Sequence, residues 1–365
     1  MAAPTRWDDG RFTSHLESLV WTASPVVRSY LHALVSGDPG CDWLTWVEHA
    51  HLSPDLESAL VLGCGSGWLE RALAGRGRFR SIVACDFAAE MVERARQSAR
   101  EAGVSGIEYR VIDLENEPLP AGPFDAVFAN DVLHHIKGLE PLYTRIHGAL
   151  APQGRLIFNE YVGPNRFQYS DERMDLVNRY LRVLPDRLRW DPISGSRLWK
   201  RERTDVKQLV LDDPTEAVRS EDVMPLARRF FRQEKEYLYG GGLLNPLLFG
   251  IVTNFRPGDP WDDMLIARFC AAEERLTHAG KIEPDFRIFV GARRDEDPGR
   301  TDQEGGSSHR TTSPTRSISR QGPGRFLRTF SVSNGARSAY QRYPRLSVET
   351  RSCSNRSGRS QFHIA

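Results

Sequence analysis

The sequence predicts an α/β fold, a three-layer sandwich in which helices cover both faces of a mostly parallel sheet. Between residues 59 and 162, short apolar segments alternate with amphipathic segments, which is the pattern of right-handed βαβ units. A glycine-rich turn, "GCGSG" at 63–67, joins the first apolar segment to a helical one. The composition, 40% hydrophobic and 27% charged residues, suits a globular protein.

Residues 1–50 are predicted to form a helical leader that covers the active site. Ser24 is placed as an N-cap with Pro25 at the first helical position, and Gly37 ends the apolar pattern of that helix. In the next helical segment, "DWLTWVEHAHL", two tryptophans fall on one side. We expect them to form a packing face, since aromatic side chains stabilise mainly through buried area.

The sheet follows from residue 51. Strands are predicted at "ALVLG", "SIVACD", "IEYRVID", "FDAVFAND" and "RLIFNEYV". The helices between them are "WLERALAGRG", "AAEMVERARQSAREAG" and "LEPLYTRIHGAL". Because each strand is short and each helix follows a strand, we predict parallel strands buried on both faces.

A helical insert over about 163–231 is predicted to interrupt this alternation. Its segments "SDERMDLVNRYLRVLPDRL" and "SEDVMPLARRFF" each begin with Ser followed by acids, as helix N-termini do. Two further strands, 232–240 and 285–293, then resume the sheet, with helices at "GLLNPLLFGIV" and "WDDMLIARFCAAEERLTHAG" between them. The domain is therefore expected to span 51–295.

Residues 296–365 are predicted to be a disordered tail rich in Arg and Ser. The tail has too few apolar residues to offset the entropy lost on ordering. It holds 12 arginines against 5 acids, a charge of +7, which leaves −6 on the rest of the chain. We therefore expect no nucleic acid on the body of the protein, although the tail could contact an acidic partner.

The five cysteines form no CxxC pair, and acids stand where a secretory signal would need an apolar core. We therefore expect a cytoplasmic protein with reduced thiols. The longest apolar patch, at 243–252, is too short for a bilayer, which takes roughly 20 residues. No membrane association is predicted, and the sequence does not indicate an oligomeric state.

The glycine turn has the spacing GxGxG, whereas dinucleotide-binding proteins have GxGxxG. Trp68 stands where that motif has its last glycine, and an indole there would crowd a pyrophosphate. Asp86 ends the second strand, where it could accept hydrogen bonds from ribose hydroxyls or cap the following helix. Asp113, at the end of the third, lies within reach of an adenine amino group. These observations favour a ligand without a diphosphate, and leave a dehydrogenase as the weaker alternative.

Residues 55–165 resemble class I S-adenosylmethionine-dependent methyltransferases, and above all the small-molecule group called type 11, 12 or 25. The motifs that carry the resemblance are "LVLGCGSG", "CDFAAEMVERAR", "IDLENEPLP", "FDAVFANDVLHHI" and "LAPQGRLIFNEYVG". The resemblance implies a Rossmann-like sheet of seven strands with an antiparallel last strand. It also implies S-adenosylmethionine as cofactor and transfer of its methyl group to a small molecule, at O or N.

The resemblance further implies which residues bind the cofactor. The glycine turn would approach the methionine part of the cofactor, and Asp86 would bind its ribose. Asp113 and the Leu114 backbone would bind the adenine. Asn130 would lie beside the reaction centre. The full implied set is Gly63, Cys64, Gly65, Gly67, Asp86, Phe87, Asp113, Leu114 and Asn130.

One position departs from the family pattern. Val61 stands two residues before the first glycine, where the family commonly has an acid. That acidic contribution is then absent or comes from Glu57 or Asp131. A cofactor-binding protein without turnover is therefore an open alternative.

Candidate catalytic residues follow the fourth and fifth strands. His134 could act as a base if the acceptor arrives protonated, while Glu160 and Tyr161 could line the acceptor pocket. His135 is expected to be a packed ring. The histidines lack the spacing of a metal motif, so no metal site is predicted.

The acceptor is expected to meet the leader and the insert. Arg166 and Arg219 could bind an acidic acceptor, although charged residues in an insert more often face solvent. No NPPY-type tetrapeptide follows the fourth strand, which weakens the case for methylation of nucleic acid. Methylation of a protein or nucleic acid, with the basic tail as tether, is the remaining alternative.

Overall fold

The computed structural model describes residues 18–295, so the predicted tail at 296–365 and the start of the leader lie outside the described residues. Within that range the chain forms one seven-stranded sheet and one short hairpin. The strands, in chain order, are β1 Leu56–Leu62, β2 Phe79–Asp86, β3 Ile107–Val111, β4 Phe124–Asn130, β5 Leu150–Tyr161, β6 Trp190–Asp191, β7 Ser196–Arg197, β8 Phe231–Leu238 and β9 Phe286–Arg293.

The large sheet has the strand order β3-β2-β1-β4-β5-β9-β8. Strands β1 to β5 pair in parallel, and β9 lies antiparallel between β5 and β8. The predicted fold, a mostly parallel sheet of seven strands with an antiparallel last strand, is confirmed.

Ten α-helices are present among residues 18–295. They are α1 Pro25–Ser36, α2 Trp43–His51, α3 Trp68–Gly75, α4 Ala89–Glu101, α5 Leu139–Ala149, α6 Asp171–Arg182, α7 Val206–Asp212, α8 Ser220–Phe230, α9 Leu244–Leu248 and α10 Pro260–His278. The ends of α1 lie where the sequence placed them, since the Ser24 side chain accepts from Val27 N and Gly37 ends the helix with φ of +79°.

Helices cover the sheet on both faces because successive strand residues point to opposite sides. Val61 packs into one core together with residues of α1 to α4, whereas its neighbour Leu60 packs into a second core together with residues of α5 and α8. These two cores and the sheet between them give the three predicted layers. None of the helices within 18–295 combines the length and the apolar character that crossing a membrane requires.

Two segments differ from the prediction. The insert holds the hairpin β6–β7 besides its helices. The segment "GLLNPLLFGIV", predicted as one helix, is broken: α9 ends at Leu248 and a separate 3-10 turn covers Ile251–Asn254. Gly250 has a φ of +78° and approaches Asp191 closely, so the backbone cannot continue as a helix there.

The conformation of the glycine turn predicts how substitution of Gly63 changes the stability of the protein. Gly63 has a φ of +62°, and a Cβ atom there would lie 2.4 Å from Val132 Cγ2. Gly63→Ala should therefore lower the free energy of unfolding by about 2 kcal/mol or more, from the left-handed backbone and the overlap together. Urea unfolding followed by circular dichroism measures this.

Gly148→Ala is the matched control. Gly148 is exposed in α5, and a Cβ atom there meets no other atom within 4 Å. The same change should stabilise the protein by roughly 0.5–1 kcal/mol. Equal unfolding midpoints for the two variants would contradict the proposed role of the left-handed turn.

Candidate functional site

The carboxyl ends of the parallel strands meet at one edge of the sheet. There β1 leads into the glycine turn at 63–67, β2 ends at Asp86 and β4 ends at Asn130. The strand order reverses between β1 and β4, which is where open α/β sheets bind ligands. The fold therefore groups the predicted site residues at this edge.

The three glycines of the turn have left-handed backbones, with φ of +62° at Gly63, +51° at Gly65 and +86° at Gly67. A Cβ atom on Gly63 or Gly67 would overlap neighbouring side chains, whereas one on Gly65 would meet Met91 Cε at an ordinary 3.9 Å. Packing thus requires the outer two glycines, and the backbone at Gly65 is open on its outer side.

Asp86 joins the glycine turn to the helix after β2. Its Oδ2 accepts from Gly65 N at 2.9 Å and its Oδ1 from Ala88 N at 3.0 Å. Burial raises the pKa of Asp86, against backbone hydrogen bonds that lower it. The Phe87 N–H adds a third backbone contact, so the carboxylate is held firmly at the end of β2 and keeps part of its acceptor capacity.

The other predicted cofactor residues lie beside Asp86. Phe87 is 53% exposed. Asp113 accepts from Glu115 N at 2.8 Å within its own loop, and Leu114 is buried with its carbonyl accepting from an arginine. Cys64 is buried and its N–H donates to the Cys85 carbonyl at 2.9 Å.

The two acids considered as replacements for an acid at position 61 lie at opposite edges of the sheet. Glu57 lies near the amino end of β1, away from the glycine turn, and pairs with Arg80 at 3.4 Å. Asp131 directly follows β4, beside the glycine turn, in a left-handed conformation with φ of +52°.

Asn130 and Asp131 form a polar pair at the end of β4. Asn130 Nδ2 donates to Asp131 Oδ2 at 2.9 Å, and Asn130 Oδ1 accepts from Asn159 Nδ2 at 3.2 Å. Asp131 is exposed beside this pair, so its carboxylate stands open to solvent at the end of β4. A left-handed non-glycine residue of this kind is costly and is commonly found at functional sites.

Glu160, in β5, holds the turn that follows β4. Its carboxylate is fully buried and accepts from Val132 N at 2.6 Å, Leu133 N at 2.7 Å and His134 Nδ1 at 2.8 Å. Both oxygens are thus engaged by the chain itself. Glu160 orients the neighbouring imidazole and does not face an open pocket.

His134 lies between two carboxylates. Its Nδ1 contacts Glu160, and its Nε2 lies 3.5 Å from Glu216 Oε1. Burial lowers the pKa of His134, but hydrogen bonds to Glu160 and Glu216 outweigh it, so the pKa lies above its usual value.

Tyr161 forms a wall behind this imidazole. Its hydroxyl donates to Pro164 O at 3.0 Å, and its ring packs against Phe167, Phe286 and His134 with centroid distances of 4.9, 5.5 and 6.1 Å. The side chain is 2% exposed.

His135 and Glu216 complete the polar group, and the sequence did not indicate that they meet. One ring nitrogen each of His134 and His135 and one carboxylate oxygen of Glu216 lie within 4.8 Å of one another. Spacing along the chain could not reveal this arrangement, since Glu216 belongs to the insert. We refer to these three residues as the His–His–Glu cluster.

The two arginines considered as acceptor ligands bind the chain itself. Arg166 donates to Glu216 O at 2.6 Å and Pro214 O at 2.8 Å. Arg219 pairs with Glu140 at 2.8 and 2.9 Å. Both arginines therefore stabilise the conformation of the insert. The sequence predicted for them either exposure to solvent or binding of an acidic acceptor, and these contacts correspond to neither.

The leader contacts the helix that follows the glycine turn. Trp68, the first residue of α3, packs edge-on against Trp43 of α2 with centroids 6.5 Å apart. Trp46 donates to the Tyr237 hydroxyl at 3.0 Å. The leader tryptophans thus pack as expected.

Sequence reasoning missed one buried acid. Glu70, in the first turn of α3, is fully buried, and its carboxylate lies beside the Tyr109 hydroxyl. Burial raises its pKa to about 7. No sequence pattern distinguishes this glutamate from exposed ones.

Comparison with known proteins identifies the kind of domain. A family model described as a methyltransferase domain matches residues 60–158. The chain is 34% identical over 135 residues to a ubiquinone biosynthesis O-methyltransferase of Methylocella silvestris, covering 37% of this chain and 51% of that protein. It is 28% identical over 182 residues to an uncharacterized 37.1 kDa protein in transposon TN4556 of Streptomyces fradiae, covering 48% and 51%.

Among solved structures, the chain is similar to an S-adenosylmethionine-dependent methyltransferase from Mesorhizobium loti. The identity is 21% and the TM-score 0.40, over 68% of this chain and 98% of that one. The chain spans about half the length of the two curated relatives named above.

Glu70 makes a pH-dependent prediction. Because its folded pKa is raised to about 7 from 4.5, the folded state binds this proton more tightly, and stability falls as pH rises between these values. Glu70→Gln should remove that loss. The variant should be more stable than the parent by about 3 kcal/mol at about pH 8, and nearly equal to it at about pH 5.

Urea unfolding at both pH values measures the difference. Glu90→Gln is the control, since Glu90 also lies in the first turn of a helix but is exposed. A Glu70→Gln variant that is no more stable than the parent at the higher pH would show that the buried carboxylate is not strained.

Proposed function

Since residues 60–158 form a class I S-adenosylmethionine-dependent methyltransferase domain, we propose that the chain transfers a methyl group from S-adenosylmethionine to a small molecule. The observation that carries the proposal is the grouping of the glycine turn, Asp86, Asn130 and His134 at one sheet edge, where the strand order reverses. The finer assignments below rest on this arrangement.

The residues present fit the cofactor. The backbone at Gly65 is open on its outer side, so a ligand can approach the main chain there. The Asp86 carboxylate stands at the end of β2 beside this turn, where its remaining acceptor capacity can take a ribose hydroxyl. We propose that exposed Phe87 and the Asp113–Leu114 segment flank the adenine, and that Asn130 with Asp131 lies at the amino-acid end, where Asp131 substitutes for the acid missing at Val61.

The cofactor supplies a methyl group on positively charged sulfur, which is already activated for displacement. When bound, it would give up this methyl group to the acceptor's O or N as the S–C bond breaks. The electron pair would stay on sulfur, and the proton of a protonated acceptor would pass to water. The chain's tasks are to align the acceptor and to exclude water, and such alignment can lower a barrier by roughly 7–11 kcal/mol.

The three candidate catalytic residues receive different roles in this proposal. His134 is the one that turns a ring nitrogen away from the core, toward Glu216, so it would meet the acceptor. Glu160 positions His134, because its carboxylate is engaged by three donors of the chain. Tyr161 forms the wall behind the imidazole.

The side chains at this edge of the sheet support a small molecule as the acceptor. Tyr161 and the half-buried Phe167 give it an aromatic side, and the His–His–Glu cluster gives it a polar side. The relative named for O-methylation in ubiquinone biosynthesis favours oxygen as the attacked atom.

The cofactor site is tested by Asp86→Asn. Loss of the carboxylate's charge weakens hydrogen bonds worth about 1.5–3 kcal/mol, so affinity for S-adenosylmethionine should fall roughly 10–100-fold. Isothermal titration calorimetry measures this, with thermal unfolding of each variant as the check on folding.

Asp125→Asn is the matched control. Asp125 also accepts from backbone N–H groups, those of Glu57 at 2.7 Å and Ser58 at 3.0 Å, but at the opposite edge of the sheet. Its affinity should equal that of the parent. Equal losses in both variants, or none in either, would place the cofactor elsewhere.

The reaction is tested by incubating the protein with a metabolite extract and S-adenosylmethionine labelled at the methyl group. A labelled small molecule, absent with Asp86→Asn, is the expected product. Cofactor binding with no labelled product in any fraction would favour the alternative, a cofactor-binding protein without turnover.

A further inference from the structure

We propose that His134, His135 and Glu216 bind a divalent transition-metal ion at the acceptor end of the site. Binding of the ion is independent of the function proposed above, whereas its role, to hold an oxygen atom of the acceptor, rests on that function.

Both imidazoles are oriented through Nδ1. His134 Nδ1 faces the Glu160 carboxylate at 2.8 Å, so it is the protonated nitrogen. His135 Nδ1 lies 3.2 Å from Thr215 Oγ1, whose own hydroxyl already donates to Asp213 Oδ1 at 2.6 Å. His135 must therefore donate as well. His134 Nε2 also faces a carboxylate, that of Glu216, and shares a proton with it in the metal-free protein. His135 Nε2 carries the lone pair of a neutral ring, and an ion that displaces the shared proton gains a second lone pair from His134 Nε2.

Metal-bound histidines show this same arrangement. Their second ring nitrogen usually donates to a carboxylate or another oxygen, which fixes the tautomer and the ring. Here Glu160 plays that part for one ring, and Thr215 with Asp213 for the other. Two adjacent histidines with both Nδ1 atoms fixed in this way turn their two Nε2 atoms toward the same place.

Both Nε2 atoms face the Glu216 carboxylate. His134 Nε2 lies 3.5 Å from Oε1 and His135 Nε2 lies 4.0 Å from Oε2. A proton lies between His134 Nε2 and this carboxylate in the metal-free protein, and a metal ion can take its place, because metal binding to histidine releases protons. Metal bonds of about 2.0–2.1 Å at tetrahedral angles place ligand atoms about 3.3 Å apart, so small side-chain movements suffice to close the cluster.

The insert holds Glu216 in place from both sides. Val218 N donates to His134 O at 3.0 Å, and Arg166 N donates to Ala217 O at 2.8 Å. Between these anchors, Ala217 is fully buried in a left-handed conformation with φ of +46°. Such a conformation persists only when its surroundings impose it, so the position of Glu216 is built into the fold.

The local charge also favours a cation. Within residues 18–295, the carboxylates of Glu160, Asp213 and Glu216 pair with the two imidazoles, and Asp131 adds a fourth acid nearby. Four acids against two histidines leave negative charge at the acceptor end.

The donor set indicates the class of ion. Two imidazoles and one carboxylate suit Zn²⁺, Fe²⁺ or Co²⁺, whereas Mg²⁺ and Ca²⁺ prefer oxygen ligands. Three protein ligands leave at least one coordination position open. A hydroxyl of the acceptor at that position would be polarised, and its proton would pass to water as the methyl group is transferred to oxygen.

The test uses the full chain, freed of metal with a chelator and titrated with Co²⁺ in the absence of any methyl donor. We expect one Co²⁺ per chain, with the visible absorption of a nitrogen- and oxygen-ligated ion, and displacement by Zn²⁺. Glu216→Gln and His135→Ala should each weaken Co²⁺ binding at least 100-fold. Glu221→Gln, a change in the same insert at a residue that contacts Asn165 N, should bind as the parent does.

Glu160→Gln tests the positioning role. The amide oxygen can keep both backbone N–H groups, but its NH₂ group then faces His134 Nδ1, which must become an acceptor. The ring proton moves to Nε2, and Co²⁺ affinity should fall about 10–100-fold in a folded protein. A change in Co²⁺ absorption without loss of secondary structure separates this effect from unfolding.

Several outcomes would overturn the proposal. One is the absence of stoichiometric Co²⁺ binding. Another is equal Co²⁺ binding by the parent, Glu216→Gln and His135→Ala. Either result would mean that the cluster only shares a proton between His134 and Glu216. Because the titration contains no methyl donor, its failure leaves cofactor binding intact. Conversely, a protein that binds Co²⁺ but not S-adenosylmethionine refutes the proposed function alone.

Discussion

The carboxylate of Glu160 accepts two backbone N–H groups and one imidazole N–H at the point where β4 ends, and most of the site depends on this contact. It fixes the turn that carries left-handed Asp131 and places Val132 against Gly63. A buried carboxylate is costly unless such donors surround it. The same three donors that stabilise its charge therefore join β5, the turn after β4 and the glycine turn into one unit.

The insert contributes residues of the candidate site that lie outside the matched domain. The family match ends at residue 158, whereas Arg166 and Glu216 lie beyond it. Arg166 donates hydrogen bonds to carbonyl oxygens of the segment that carries Glu216. The Ser220 hydroxyl donates to the Gly163 carbonyl at 2.8 Å. The insert thus contacts the segment after β5 at several points. These contacts hold the Glu216 carboxylate in a fixed position facing the two histidines.

The two halves of the site differ in how they are built. At the proposed cofactor half, the site consists mainly of backbone conformation, with left-handed glycines and one aspartate at a strand end. At the proposed acceptor half, side chains from β5, the turn after β4 and the insert form a network in which each polar atom orients the next. A network of this kind is rigid when its donors and acceptors are matched, which suits a site whose main task is alignment.

The sequence by itself determined the sheet, the order of its elements, the glycine turn and the caps of α1, because these depend on residues close together in the chain. It also placed Asp86 and Asn130 at strand ends, since parallel strands share one edge. Tertiary structure decided the rest. Glu216 meets His134 across more than eighty residues, Arg166 turns to the insert, Glu57 falls at the wrong edge and Gly250 breaks a predicted helix against Asp191. Each of these depends on packing between distant segments, which no local pattern encodes.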